Sequence, residues 1–288
     1  MGRVLVTPRS VTRDGHPALA ALEAAGHEIV FTTAGCFPSE DELLEKLPGC
    51  CAYLAGVEPI TARVLEAASA LKVISRNGTG VDSIDMSAAE RLGIKLCRAA
   101  GANARGVAEL TFGLILALVR SIPLSDRALK QETWERHKGL ELEGRSLGLI
   151  GCGKIGRYVT QFARGFDMKV LAYDPEPCAE LGTMSNFAYV KLDELLEQAH
   201  VISLHCPALP DQRPLINEKM ISKMRTGVYL INTARGSLLD VDAVLAGLDM
   251  GRISGVAIDA FAQEPPEDWR LGSHMHAIGT AHVGGFTA

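Results

Sequence analysis

The stretch Ser146-Leu-Gly-Leu-Ile-Gly-Cys-Gly-Lys-Ile-Gly-Arg157, with Val170-Leu-Ala-Tyr-Asp174 after it, constrains the fold more than any other part of the chain. An apolar run, Leu147 to Ile150, leads into Gly151, Gly153 and Gly156, which stand in G-x-G-x-x-G spacing. A helical pattern from Ile155 to Phe166 follows, and a second apolar run ends in an acid, Asp174. Strand, glycine turn, helix, strand and acid in that order describe a dinucleotide-binding βαβ unit. Gly151 permits the tight turn, Gly153 lets a pyrophosphate approach the backbone, and Gly156 allows close packing of the helix. The free N–H groups and positive end of the helix face the phosphates. Asp174 suits a ribose 2′-OH and repels a 2′-phosphate, and Pro175 rather than Arg follows it, so NAD is expected over NADP.

Strand and helix patterns alternate through most of the 288 residues. Strands are expected at Arg3–Thr7, His27–Phe31, Ala52–Leu54, Lys72–Ile74 and Lys95–Cys97, with helices at Pro17–Ala25, Ser39–Lys46 and Ala62–Ala68. A helical region spans about 104–134, broken or kinked by Pro123. After the glycine loop, strands are expected at Val201–Leu204, Val228–Ile231, Ser254–Ile258 and His276–Ile278. Such alternation implies parallel sheets with helices on both faces. The signature begins mid-chain, so a separate α/β unit precedes it. The expected division is a substrate domain over 1–98, to which 282–288 returns, and a cofactor domain over 99–281, with a cleft between them.

Several classes of partner are disfavoured. The net charge is −5 with no basic run, which argues against nucleic acid and anionic membrane. The longest apolar stretch, Leu110 to Val119, is too short for a membrane span. Met1-Gly-Arg-Val-Leu-Val reads as a strand and not a signal peptide, so a cytoplasmic protein is expected. Seven cysteines without a C-x-x-C support neither a disulfide scaffold nor a zinc site, and no metal is expected. Cys152 lies inside the glycine loop, where oxidation is expected to hinder cofactor binding.

Three segments carry polar groups beside apolar strands. In Tyr229-Leu-Ile-Asn-Thr-Ala-Arg-Gly-Ser-Leu-Leu-Asp240, Arg235 is either a fork for a substrate carboxylate or a surface residue at a turn. In Gly255-Val-Ala-Ile-Asp-Ala-Phe-Ala-Gln-Glu-Pro-Pro266, Asp259 either lines a site or caps a turn. In Gly279-Thr-Ala-His-Val-Gly-Gly-Phe-Thr287, His282 is structural unless its loop meets that of Glu264. A carboxylate beside the imidazole would raise its pKa and suit it to proton exchange near neutral pH. His205, at another strand end before Cys206-Pro207, reads as a wall of the adenine side.

Together these segments resemble the D-2-hydroxyacid dehydrogenase family over nearly the whole chain. Ile74-Ser-Arg-Asn-Gly-Thr-Gly-Val-Asp-Ser-Ile-Asp85 is similar to its substrate loop, and Gly101-Ala-Asn-Ala-Arg-Gly-Val-Ala-Glu109 to its hinge. Asn232-Thr-Ala-Arg-Gly236, Asp259 with Glu264-Pro265, and His282-Val-Gly-Gly285 follow in family order. The resemblance implies two doubly wound, Rossmann-like α/β domains with parallel sheets and a cleft between them. Arg235 would bind the carboxylate, His282 would exchange the proton, and Glu264 would orient His282. The cofactor set would be Gly151, Gly153, Lys154, Ile155, Gly156 and Asp174, with His205, Pro207, Thr233 and Ala234, and Asp259 at the nicotinamide carboxamide. Arg76, Asn77, Gly78 and Thr79 would join Arg235 and His282 in holding substrate.

Within the family, the 76–82 loop is most similar to phosphoglycerate dehydrogenases, implying 3-phosphoglycerate oxidation in serine synthesis, with Arg76 and Arg136 serving the phosphate. The chain departs from that pattern at Leu54-Ala-Gly-Val-Glu58, where some of those enzymes carry another Arg, and at Ala281, where the family has Pro. It also ends just after the His motif, without the family's returning helix or a regulatory domain. The alternatives are a glyoxylate or hydroxypyruvate reductase and, in another class, an NAD(H)-sensing corepressor-like protein. A homodimer is expected through the 104–120 region, where Val107, Leu110, Thr111, Leu114, Ile115 and Leu118 form an apolar stripe. The stripe also suits packing inside its own domain.

Overall fold

A computed structural model describes residues 2–287, which form two compact units dividing between Asn103 and Ala104. The first unit holds five parallel strands: β1 Arg3–Val6, β2 Glu28–Phe31, β3 Cys50–Ala55, β4 Val73–Arg76 and β5 Lys95–Arg98, in the order β2-β1-β3-β4-β5. Side chains alternate across a strand. Leu5 and Tyr53 therefore enter one core with Leu43, Val64 and Ile74, while Val4, Val6 and Leu54 pack with Val11 and Leu22 on the other face. Three of the unit's helices, Glu40–Lys46, Ala62–Ala67 and Met86–Arg91, begin where a short polar side chain accepts a free backbone N–H. Ser39 accepts from Glu42, Thr61 from Val64 and Asp85 from Ala88.

The second unit holds seven parallel strands: β6 Ser146–Ile150, β7 Lys169–Tyr173, β8 Phe187–Tyr189, β9 Val201–Leu204, β10 Val228–Asn232, β11 Ile253–Ile258 and β12 Ala277–Gly279. Their order is β12-β11-β10-β9-β6-β7-β8. Alternation again divides two cores: Leu147, Leu149, Ile231 and Ala257 face one, and Ile150, Leu230, Val256 and Ile258 the other. Helices on both faces complete the doubly wound α/β architecture that the βαβ pattern implies. The edge strand β8 carries no long apolar run, and nothing in the sequence marked it.

The helical region expected over 104–134 is corrected. It consists of two helices, Ala104–Val119 and Ile122–Lys130, bent by 63°. The break lies at Ser121, in the left-handed region at φ 52°, and Pro123 falls in the first turn of the second helix, where its missing N–H costs nothing. Residues 133–142 have no regular structure. In the apolar stripe, Val107, Thr111, Leu114, Ile115 and Leu118 are buried within their own unit, so the stripe itself is not an argument for a second copy. No single helix among the described residues is long and apolar enough to cross a membrane.

Candidate functional site

The site residues of the second unit follow from its topology. Every strand is parallel, so every strand ends at the same edge. Gly151 follows β6, Asp174 follows β7, His205 follows β9, Thr233 follows β10, Asp259 follows β11, and the turn bearing His282 follows β12. The strand order reverses between β6 and β9, where open α/β sheets bind ligands. Asp174 and Thr233 are three strand spacings apart along this edge, roughly 14 Å at ~4.8 Å each.

The three glycines are required for three different reasons. Gly151 has φ +92°, and a Cβ there would lie 2.7 Å from the carbonyl of His205. Gly156 would place a Cβ 2.8 Å from the Gly151 carbonyl oxygen, so the helix packs back on the glycine turn itself. Gly153, by contrast, has nothing within 4 Å of its Cβ position. It stands at the N-terminus of the twelve-residue helix Lys154–Gly165, whose first N–H groups need acceptors. This open backbone at a positive helix end fits a pyrophosphate. Asp174 accepts from Cys152 N–H at 2.6 Å and from Glu176 N–H at 2.9 Å, which ties the second strand's acid to the glycine turn.

Cys152 is buried and its thiol pKa is raised, first by burial, with Thr160 and Tyr189 acting against it. A buried thiol with a raised pKa is slow to ionise and so slow to react, whatever its oxidation would do to cofactor binding. His205 bonds Ser203 through Nε2 at 2.9 Å, while its buried Nδ1 has no protein partner. Burial pulls its pKa down to about 4, so the ring is neutral and Nδ1 is a buried polar atom left unsatisfied by the protein.

Arg235 sits on a braced loop. The buried Asn232 donates from Nδ2 to Arg235 O at 2.8 Å and accepts from Ala234 N–H at 3.1 Å. A Cβ on Gly236 would collide with the backbone of Phe261 and Ala262, so glycine lets the Arg235 loop lie against the loop that leads to Glu264. Thr111 donates to Val107 O and also bonds Thr233 Oγ1, each at 2.8 Å, which fixes the loop's start. The sequence pattern places Thr111 only in the apolar stripe and Asn232 only at the head of the Asn232-Thr-Ala-Arg-Gly236 segment. A strand-final Asn and a helical Thr carry no local signal of this bracing.

Glu264 and His282 do meet. The imidazole Nδ1 lies 2.7 Å from one carboxylate oxygen and 2.9 Å from the other. Against an acceptor-only carboxylate Nδ1 carries the proton, which leaves Nε2 for exchange. The hydrogen bond that His282 donates to Glu264 raises the His282 pKa; burial opposes this, and the charges of Glu264 and Asp259 add to the rise. Burial pushes the Glu264 carboxyl up, but His282, the Phe261 N–H and Arg235 outweigh it and the net shift is downward. The two shifts agree in describing a carboxylate beside a readily protonated imidazole.

Asp259 holds the turn that presents His282. Its Oδ1 accepts from Thr280 Oγ1 at 2.6 Å and Val283 N–H at 2.9 Å, and its Oδ2 from Gly284 N–H at 3.0 Å. His282 itself lies at φ 51°, a conformation that costs a non-glycine residue ~1–2 kcal/mol. The buried carboxylate over-determines that conformation, so Asp259 acts on this turn whatever it does for a cofactor.

The remaining expected residues lie elsewhere. In the first unit, Arg76 is buried and donates from Nη1 to Asn77 O. Gly78 has φ +149°, and Thr79 Oγ1 accepts from Gly101 N–H at 3.3 Å. Arg136 is exposed in the irregular 133–142 segment, Pro207 is exposed, and Lys154 and Ile155 open the glycine-loop helix. Among the described residues no group of three or more His, Cys, Asp or Glu is placed to hold a metal.

Residues 112–284 match the family described as D-isomer specific 2-hydroxyacid dehydrogenase, NAD binding domain. The chain is 40% identical over 255 residues to the hydroxypyruvate reductase of Thermotoga maritima, covering 86% of this chain and 82% of that protein. It is 37% identical over 252 residues to the D-3-phosphoglycerate dehydrogenase of Homo sapiens, covering 86% of this chain and 47% of that protein. It thus spans about half the length of such phosphoglycerate dehydrogenases. The solved structure of D-lactate dehydrogenase from Aquifex aeolicus, complexed with NAD and lactic acid, superposes with a TM-score of 0.85 at 31% identity, over 99% of this chain and 89% of that one.

Proposed function

The chain belongs to the D-isomer specific 2-hydroxyacid dehydrogenase family, and on that footing we propose that it transfers a hydride between NAD and C2 of a small 2-hydroxy or 2-keto acid. The observation that carries this reading is the His282–Glu264 pair at 2.7 Å, on the same sheet edge as the Arg235 loop and the glycine turn. Protonated His282 gives its Nε2 proton to the carbonyl oxygen during reduction and takes it back from the hydroxyl during oxidation. Glu264 holds the Nδ1 proton and stabilises the imidazolium. Arg235 binds the carboxylate through its planar fork and polarises the neighbouring carbonyl. Gly153, the Lys154–Gly165 helix start and Asp174 take the pyrophosphate and ribose of the cofactor, and Thr233, Ala234 and Asp259 lie towards the nicotinamide end.

Two substrate readings belong to this reaction. The 76–82 loop is similar to that of phosphoglycerate dehydrogenases, which gives 3-phosphoglycerate and 3-phosphohydroxypyruvate, and a place in serine synthesis. The likeness to a hydroxypyruvate reductase supports hydroxypyruvate or glyoxylate instead. A cytoplasmic homodimer completes the proposal. Ile122, Leu129 and Trp134 are exposed just beyond the Ala104–Val119 helix and suit a second copy, which light scattering at micromolar concentration tests.

The decisive assay is NADH oxidation with 3-phosphohydroxypyruvate, hydroxypyruvate and glyoxylate in parallel. Turnover that Arg235→Ala abolishes supports the reaction. Tight NADH binding without turnover on a panel of 2-keto acids supports a sensing role instead.

A further inference from the structure

The carboxyl edge of the first unit's sheet carries a buried acid that the proposed reaction does not use. The order β2-β1-β3-β4-β5 reverses between β1 and β3, the position at which such sheets take ligands. Thr7 follows β1 and Gly56 follows β3, and between them lies Glu58, only 2% exposed. One oxygen of Glu58 accepts from Tyr53 O–H at 2.6 Å, from Gly56 N–H at 2.9 Å, and from the Thr7 hydroxyl. A Cβ on Gly56 would press against the other oxygen, so glycine is what admits the acid here.

A hydroxyl and a backbone N–H at a glycine are donors of the kind that cradle phosphate oxygens. In this chain they are spent on Glu58. On the adjoining strand, Arg76 is the one Lys or Arg between positions 73 and 90. It is 9% exposed, and it turns one N–H to Asn77 O beneath Gly78, where a Cβ would lie 2.7 Å from its Nη1. Its charge is therefore folded in behind the loop and is not displayed at its surface.

We propose that Glu58 is a specificity-determining residue: its buried carboxylate occupies the donors at this edge and makes the chain bind unphosphorylated 2-hydroxy and 2-keto acids in preference to phosphorylated ones. A dianionic phosphate meets a like charge and donors already taken, whereas a hydroxymethyl or hydrogen in its place meets neither. The inference rests on the reaction proposed above and on the 76–79 loop serving the substrate.

The test is calorimetric binding of 3-phosphoglycerate and D-glycerate, in the presence of NAD, to the wild-type chain and to Glu58→Gln. Glutamine keeps an oxygen for the same donors and removes the charge. The wild type should bind D-glycerate at least as tightly as 3-phosphoglycerate, and Glu58→Gln should move the ratio of dissociation constants about tenfold or more towards the phosphorylated ligand. Wild-type preference for 3-phosphoglycerate overturns the proposal without any variant, as does an unchanged ratio in a Glu58→Gln protein with an intact melting transition. Because binding is read directly, a shifted ratio without turnover sinks the reaction and spares the inference. Turnover with an unmoved ratio does the reverse.

Discussion

Nδ1 of His282 is bracketed by both oxygens of Glu264, at 2.7 and 2.9 Å, although eighteen residues separate the two in sequence. Reduction needs the imidazolium and oxidation the neutral ring. In the wild type kcat/KM for reduction should therefore fall as pH rises through the raised His282 pKa, while that for oxidation should climb. Glu264→Gln removes the largest cause of the rise, so both limbs should move to lower pH. His282→Ala should lose about 100- to 10,000-fold in rate. Profiles in both directions check this, and limbs that stay in place in Glu264→Gln would rule out the pairing.

The same pair ties stability to pH. His282, raised when folded, contributes fully below its ordinary value of 6.5, and the contribution is lost as pH rises through the folded value. Glu264, lowered when folded, contributes fully above its ordinary 4.5, and loses it as pH falls through the folded value. The destabilisation caused by His282→Ala should accordingly be largest between pH 4.5 and 6.5. Both groups are partly exposed, so its size should stay near or below ~1 kcal/mol. Urea melts at pH 5.5 and 9 give the comparison.

Gly151 and Gly153 should respond differently to alanine. Gly151→Ala drives a Cβ into the His205 backbone at a positive φ and should cost ~1–3 kcal/mol in stability as well as cofactor affinity. Gly153→Ala meets no protein atom within 4 Å, so its melting temperature should stay close to wild type while NADH affinity drops at least about tenfold. Equal affinity in wild type and Gly153→Ala would place the pyrophosphate elsewhere.

Asp259→Asn should impair the His282 turn. An amide replaces one acceptor oxygen by a donor that faces an N–H or O–H already present. The expected result is a loss of ~1–3 kcal/mol in stability and a fall in kcat larger than any change in substrate KM. A stable variant with unchanged kcat would show that the turn holds without the carboxylate.

Cys152 should resist maleimide while Cys36 and Cys97 label readily, because only the latter two are exposed. Peptide mapping after brief labelling separates them. Rapid labelling of Cys152 in the folded chain would contradict its burial.

Local signals were enough for much of this protein. The glycine spacing, the apolar runs and Asp174 identify the βαβ unit because turn, strand and phosphate-cradle chemistry act over a few residues. The parallel character of both sheets follows from alternation alone. Pro123 marks the break after the first long helix, but local pattern did not reveal that the chain leaves the helix altogether after Lys130. Which loops meet was beyond local signals. Glu264 reaches His282, Asp259 closes the turn after β12, and Glu58 meets Thr7 at the reversal between β1 and β3 only because parallel strands bring distant ends to one edge. Sequence by itself determined the elements and the chemistry available. Tertiary structure alone decided which polar groups are spent on one another, which, like the buried Nδ1 of His205, are left without a protein partner, and which backbone, like Gly153, remains open, because hydrogen-bond partners are set by distance in space and not along the chain.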